Sequence, residues 1–263
     1  GWCGYPLDKR IFPWNHANCG DLNLSGERRP QSYLRETLWS DAPVSHIVVT
    51  PPVPSFPLNP NKADWSVWDF PDVVDHWNFP GYEGKKMTVS VYSNCEQVEL
   101  FLNGESLGKQ ENTADKKNTL VWEVPYAHGI LKAVSYNKGG EVGTATLESA
   151  GKVEKIRLSA DRTEIVADGN DLSYITLELV DSKGIRNQLA EELVEFSIAG
   201  DATIEGVGNA NPMSIESFVA NSRKTWRGSN LLVVRSGKSS GRIIVTAKVK
   251  ALPVASITIT QKK

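Results

Sequence analysis

The sequence has no long apolar run, no excess of charge of one sign and only three cysteines. Its 263 residues carry a formal net charge of −2, and the isoelectric point is near 6.2. A nearly neutral chain has no basic field to collect phosphates, which argues against a nucleic-acid partner. A membrane-spanning helix needs about 18 or more apolar residues in a row, and no stretch approaches that length. We therefore expect neither nucleic-acid binding nor a membrane span.

The three cysteines, Cys3, Cys19 and Cys95, lack the paired spacing of a zinc site. Because their number is odd, at least one thiol stays outside any internal disulfide. Buried, unpaired cysteines are the favoured interpretation, and a Cys3–Cys19 disulfide is the alternative if the protein is exported. The histidines are scattered and have no neighbouring cysteine ligand, so we expect no metal and no cofactor.

The first 80 residues are rich in aromatic side chains and proline. Pro30 precedes the segment 31–39 and Pro43 follows it, which predicts a single helix there. Leu34 and Leu38 fall four residues apart, on one face of that helix. Residues 45–80 are expected to form an ordered linker with little regular structure. The acidic residues of this linker have no calcium-loop spacing and are interpreted as solvated charge; they are Asp64, Asp69, Asp72 and Asp75.

From Met87 onward apolar and polar residues alternate, which is the pattern of half-buried β-strands. Residues 98–102 follow this pattern, and Asn103-Gly104 comes directly after them. Asn-Gly is the strongest short signal for a two-residue hairpin, because a type I′ turn needs positive φ at both positions. We expect the first β domain, with its linker, to span residues 45–150.

Residues 151–263 repeat the alternation in short segments with turn signals between them. The stretch 206–210, Gly-Val-Gly-Asn-Ala, is predicted to be a turn and not a dinucleotide loop, because no helical pattern follows it. The predicted fold class is mainly β, with two immunoglobulin-like β-sandwich domains.

Two segments of the first predicted sandwich contain sequence motifs that β geometry alone does not require. They read His-Trp-Asn-Phe-Pro-Gly-Tyr-Glu-Gly-Lys at 76–85 and Val-Glu-Leu-Phe-Leu-Asn-Gly-Glu-Ser-Leu-Gly at 98–108. Both resemble the β-sandwich that follows the catalytic barrel in bacterial family 2 glycoside hydrolases. Residues 19–33 resemble the end of that family's (β/α)₈ barrel, and segments within 168–231 resemble its terminal immunoglobulin-like domain.

The resemblance implies that residues 1–44 are a short remnant of the barrel end, with Gly1 at a cut inside a longer protein. Retaining enzymes of this kind use two glutamates roughly 5–5.5 Å apart, and the resemblance puts both on barrel strands before Gly1. We therefore expect a non-catalytic accessory and structural region of a β-galactosidase-like enzyme, with no catalytic residue and no turnover of its own.

The resemblance also implies partners. They are the missing catalytic barrel and, through the parent enzyme, carbohydrate; the family favours a periplasmic or extracellular location and allows a homo-oligomer. The alternative function is a carbohydrate-binding module acting alone or an adhesion-type immunoglobulin-like module.

Six of the eight tryptophans fall within the first 77 residues. Sugar rings present apolar faces that pack on aromatic rings, so four of these tryptophans are candidates for sugar contact: Trp2, Trp14, Trp65 and Trp68. Packing between the barrel end and the first sandwich is the favoured interpretation of the same residues.

Overall fold

The computed structural model describes residues 13, 20–55 and 71–263. The chain divides into two compact units: the first ends at Ser149, and the second runs from Ala150 to Lys263 together with Leu24–Gly26. Strands dominate both units, and the described residues contain one α-helix, α1 (Ser32–Trp39). The predicted mainly β fold with one helix is confirmed. None of the helical segments in the described part has the length and apolar character needed to cross a membrane.

The first unit is a β-sandwich of two antiparallel sheets. Its strands are β1 (Ser45–Val49), β2 (Lys86–Ser93), β3 (Gln97–Leu102), β4 (Glu105–Glu111), β5 (Thr119–Pro125), β6 (Ile130–Asn137) and β7 (Gly140–Glu148). One sheet has the order β1-β2-β5 and the other β4-β3-β6-β7. Alternate side chains of both sheets meet in one core, where Val89, Val98, Leu120 and Leu131 are fully buried.

The hairpin between β3 and β4 turns at Asn103 and Gly104. Their φ angles are +52° and +88°, and Leu102 pairs with Glu105 across the turn. The hairpin predicted from Asn-Gly is therefore present.

The second unit is also a sandwich of two sheets around its own core. Its strands are β8 (Lys155–Ala160), β9 (Glu164–Val166), β10 (Leu172–Val180), β11 (Leu193–Ala199), β12 (Ala202–Gly208), β13 (Ser222–Lys224), β14 (Ser229–Ser236), β15 (Gly241–Val249) and β16 (Ala255–Lys262). The sheet orders are β12-β14-β10-β8 and β13-β11-β15-β16-β9. The pairing of β9 with β16 is parallel, and the other pairings are antiparallel.

The turn predicted at 206–210 is wrong in its first half. Gly206 and Gly208 belong to β12, whose pairing with β14 shifts register between Ile204 and Gly206. Glycine inside a strand often marks such a bulge or a close approach of another backbone. A Cβ atom on Gly206 would lie 3.2 Å from the carbonyl oxygen of Phe218. The strand ends at Gly208, and the backbone takes a positive φ of +60° at Ala210.

Candidate functional site

The four tryptophans predicted to contact sugar lie outside the residues that the structure describes. The same is true of Cys3, Cys19, His16, Asp64 and Asp69. Cys95, the remaining cysteine, is buried and carries a free thiol.

The described part of the chain contains no cluster of three or more histidine, cysteine or acidic side chains that could hold a metal ion. Asp72, from the acidic linker, accepts a hydrogen bond from the backbone N–H of Ser55 at 2.7 Å.

Among the described residues, every carboxyl group with a displaced pKa has a lowered one. These groups are Asp115, Asp168, Asp171, Asp181 and Asp201. Backbone N–H groups cause much of this. That of Asn170 lowers the pKa of Asp168, and that of Val166 lowers the pKa of Asp171. A general acid needs a carboxyl whose pKa is raised. These groups are therefore turn and strand anchors, unsuited to acid catalysis.

The Trp-Asn-Phe-Pro segment forms a buried aromatic cluster in the first unit. Trp77 is fully buried, and its ring meets Tyr126 at 4.9 Å and Phe79 at 5.9 Å between centroids, both edge to face. The indole N–H donates to the carbonyl oxygen of Ala127 at 2.8 Å, and the hydroxyl of Ser149 donates to the carbonyl oxygen of Trp77. The segment that carries the family resemblance therefore acts as a packing anchor, and Trp77 is inaccessible to a sugar.

The Asn-Gly hairpin is tied to the segment before β6. The Oδ1 atom of Asn103 accepts the backbone N–H of Ile130 at 2.8 Å, and its Nδ2 atom donates to the carbonyl oxygen of His128 at 3.2 Å. Gly129 lies between these two contacts with φ of +142°. Asn103 thus does more than form the turn, because it holds a second loop in place.

Helix α1 is fixed to the first sandwich by asparagine side chains. The Nδ2 atom of Asn118 donates to the hydroxyl of Thr37 at 3.0 Å. Asn94 clamps the segment that follows the helix: its amide donates to two carbonyl oxygens within residues 40–42, and its Oδ1 atom accepts the N–H of Val44 at 2.7 Å. The helix is therefore part of the first unit and not a loose tail.

Burial differs along α1, whose C-terminal end is exposed. Tyr33 and Leu34 pack toward Tyr92 of the sheet. Leu38 is 66% exposed and Trp39 is 86% exposed. Of the two leucines predicted to share a face, only Leu34 is covered, so the end of the helix presents an apolar surface to its surroundings. This surface, Leu38 and Trp39, is called the helix-end patch below.

Charged groups gather at the other end of the helix. The guanidinium of Arg28 lies 3.9 Å from the ring centroid of Tyr33 and pairs with Glu36 at 2.7 Å. His46 stacks on the same tyrosine at 3.4 Å. Burial lowers the pKa of His46 to about 4; Arg28 lowers it further, and Asp75 and Glu36 act in the opposite direction. The imidazole is neutral at pH 7.

The second unit contains an open groove of about 690 Å³. Its charged lining residues are Lys152, Glu154, Glu192 and Lys250. No aromatic side chain is among its lining residues, all of which are described. The amide of Asn187 is engaged internally, donating to the carbonyl oxygen of Gly151 and accepting from the N–H of Leu189, both at 2.9 Å. A sugar site needs ring faces and converging free polar groups, so nothing here recommends the groove as one.

Comparison with known proteins identifies the family. Residues 156–258 match the model of the glycoside hydrolase family 2 C-terminal domain 5, and residues 84–143 match a domain of unknown function (DUF4982). A crystal structure of a family 2 glycosyl hydrolase member from Bacteroides cellulosilyticus is 99% identical, with a TM-score of 0.97. It is matched over 100% of this chain and 34% of that chain. This chain is the C-terminal region of a family 2 glycoside hydrolase.

More distant relatives agree with this placement. A β-galactosidase from Bacteroides ovatus is 30% identical over 96% of this chain and 26% of its own length. A β-glycosidase from Bacteroides vulgatus is 25% identical, with a TM-score of 0.77, over 92% of this chain and 28% of that one. The family 2 region thus spans between a quarter and about a third of the length of these relatives.

Some residues that organise the family 2 region are missed by sequence reasoning. Asn94 and Asn118 look like ordinary turn residues, and their hydrogen bonds to the helix segment bridge roughly 50 to 80 positions of sequence. Arg223 looks like an exposed strand residue but is fully buried. No local pattern gives these roles away, because each depends on a partner that is distant in sequence.

Proposed function

We propose that this chain is the non-catalytic, accessory part of a retaining, β-galactosidase-like glycoside hydrolase, and that it braces the catalytic domain. The carbohydrate substrate would be handled by the part of the parent enzyme outside this chain. Support for the substrate class comes from the Bacteroides ovatus relative, which is named a β-galactosidase. Support for a non-catalytic role comes from the carboxyl groups, whose displaced pKa values in the described residues all lie on the side opposite to that of a general acid.

The observation that carries the bracing role is the helix-end patch. Hydrogen bonds from Asn94 and Asn118 hold α1 on the first sandwich, so the exposure of Leu38 and Trp39 does not come from a detached helix. Burying a large apolar side chain contributes about 2 kcal/mol. A fixed patch of this kind supplies a docking point for the catalytic domain.

Activity tests the first half of the proposal. The isolated chain, prepared from a host that lacks its own β-galactosidase, is expected to give no turnover of an aryl β-galactoside. The longer Bacteroides cellulosilyticus protein serves as the comparison. Turnover by the isolated chain at a rate comparable with that of the longer protein would refute a non-catalytic role.

Trp39→Ala tests the second half. In the longer protein the substitution is expected to lower the thermal midpoint by several degrees, because a buried indole is lost. In the isolated chain it should have almost no effect, since Trp39 is 86% exposed there. Val53→Ala, at another exposed apolar position, is the control. Equal effects of Trp39→Ala in both proteins would contradict bracing. Retention of the isolated chain in glycan affinity electrophoresis, lost in Trp39→Ala, would favour a carbohydrate-binding module.

A further inference from the structure

The loop 209–221, between β12 and β13 of the second unit, carries three exposed apolar side chains. Ile215 is 74% exposed, Val219 is 80% exposed and Phe218 is 50% exposed. Single exposed apolar residues are ordinary, but several on one short loop mark a contact surface. This loop is called the apolar loop below.

Hydrogen bonds hold the backbone of the apolar loop. The carboxylate of Glu216 accepts the backbone N–H of Lys224 at 2.9 Å and the hydroxyl of Ser214 at 2.9 Å. The N–H of Val207 in β12 donates to the carbonyl oxygen of Phe218 at 2.8 Å. The exposed side chains therefore stand on a loop that is held in place at Ser214, Glu216 and Phe218.

A fully buried arginine lies beneath this loop. One terminal nitrogen of Arg223 donates to the carbonyl oxygen of Val207 at 3.1 Å, and the other to the hydroxyl of Ser214 at 2.9 Å. Its guanidinium carbon lies 4.1 Å from the ring centroid of Phe218, and Glu216 approaches its Nε atom at 3.9 Å. Burying a guanidinium costs several kcal/mol before compensation. The hydrogen bonds of Arg223 offset part of this cost and tie β12 to a loop whose tip is exposed.

The chemistry of the loop favours a protein partner over a sugar. Isoleucine and valine have no planar face on which a pyranose could stack, and Arg223 already covers one face of the Phe218 ring. Rigid, preformed aliphatic contacts suit an apolar protein surface, because little conformational entropy is lost on binding.

The size of the patch favours a tethered partner. Three side chains offer an apolar area on the order of a few hundred Å², whereas a stable contact between separate molecules buries about 800 Å² on each partner. A tethered domain needs less, because its effective concentration is in the millimolar range. The 99% identical chain from Bacteroides cellulosilyticus is about three times as long as this one, so the rest of that polypeptide is long enough to supply a tethered partner.

We propose that the apolar loop is a preformed docking element for an apolar surface on the catalytic domain of the same polypeptide. The proposal rests on the function proposed above in taking this chain as one part of a longer enzyme. It adds a second contact point, on the second sandwich and separate in sequence from the helix-end patch.

Hydrogen exchange tests the docking. The backbone amides of residues 214–219 are expected to exchange about tenfold more slowly in the longer protein than in the isolated chain. Val219→Asp in the longer protein should abolish this protection and lower the thermal midpoint, and should leave the isolated chain unchanged. Val254→Asp, at a 57% exposed position outside the loop, is the matched control. Equal exchange in the two proteins would overturn the proposal.

Light scattering distinguishes docking within one polypeptide from association of two copies at the apolar loop. If the protection rises with protein concentration and Val219→Asp converts a dimer to a monomer, a second copy covers the loop and the proposal is wrong. Protection that is independent of concentration in a monomeric protein supports docking within one polypeptide. The activity assay of the isolated chain is separate from both readouts, so a failure of the proposed function would be recognised independently.

Discussion

His46 is a neutral, largely buried imidazole whose Nε2 atom finds no hydrogen-bond partner among the described residues. Its stacking on Tyr33 at 3.4 Å couples it to the helix, and Arg28 approaches the same ring. Protonating His46 would place a charge in a poorly solvated position near another cation. The residue therefore makes the first unit sensitive to acid.

The pH dependence of stability tests this role. The pKa of His46 is about 4 in the folded protein and 6.5 as the unperturbed value, so the unfolded chain takes up the proton first. The free energy of unfolding should therefore fall as pH decreases from 6.5 toward 4, by up to about 3 kcal/mol. His46→Phe keeps a ring against Tyr33 and should flatten this decline. Identical slopes for the two proteins in denaturant titrations would contradict the assignment.

Gly129 is a position where the side chain must be absent. A Cβ atom there would lie 1.8 Å from Oδ1 of Asn103, the atom that accepts the N–H of Ile130. Gly129→Ala should cost about 2 kcal/mol or more, because it adds strain at φ of +142° and displaces Asn103. Gly139→Ala is the control, since its φ is +77° with nothing within 4 Å of the new Cβ atom. The difference between their unfolding free energies measures the clash, and equal losses would argue against it.

Helix α1 shows how an element of eight residues persists without strong local signals. Its N-cap, Gln31, makes no capping hydrogen bond from its side chain. Isolated helices of this length are marginal in water. Contacts with Tyr92 and the hydrogen bonds of Asn94 and Asn118 therefore supply its stability.

Asn94→Ala tests this dependence. It removes one acceptor and two donor contacts to residues 40–44, and should lower the free energy of unfolding by about 1–3 kcal/mol. Hydrogen exchange of residues 32–39 should speed up more than that of β6. Asn94→Asp keeps the acceptor for the N–H of Val44. Its free energy of unfolding should lie between those of the unsubstituted protein and of Asn94→Ala. An unchanged rate in the helix with Asn94→Ala would show that packing alone holds it.

Elements were predictable to different degrees. The alternation in residues 98–102 gave β3, and the Asn-Gly pair gave its turn, because both signals are local. The glycines at 206 and 208 led to the prediction of a turn, although both belong to a strand. Both lie in β12, and at Gly206 the glycine admits the close backbone of the apolar loop, which sequence alone does not reveal.

At the scale of the whole molecule, each unit has its own main core within the described residues. The core of the first unit lies within residues 47–147, and that of the second within residues 153–259. Each joins side chains from two sheets, which is what a β-sandwich requires for its own stability.

Residues 150–263 alone are therefore expected to fold cooperatively. Their fragment should give dispersed amide resonances and a single sigmoidal thermal transition, because the second core lies entirely within it. The shorter fragment 168–263 loses β8 and β9, including Ile165 of the core, and should fail to fold. A disordered spectrum for the longer fragment would show that the second sandwich depends on residues outside it.

The sequence by itself determined the mainly β class, the hairpin at Asn103 and the likeness to family 2 glycoside hydrolases, because periodicity, turn chemistry and wording are carried by neighbouring residues. Tertiary structure decided burial: it enclosed Trp77, left Trp39 at the surface and placed Arg223 beneath the apolar loop. Burial depends on which distant segments pack together, and a short-range sequence pattern does not determine this. For the same reason the surfaces proposed to meet the catalytic domain became visible only in the folded chain.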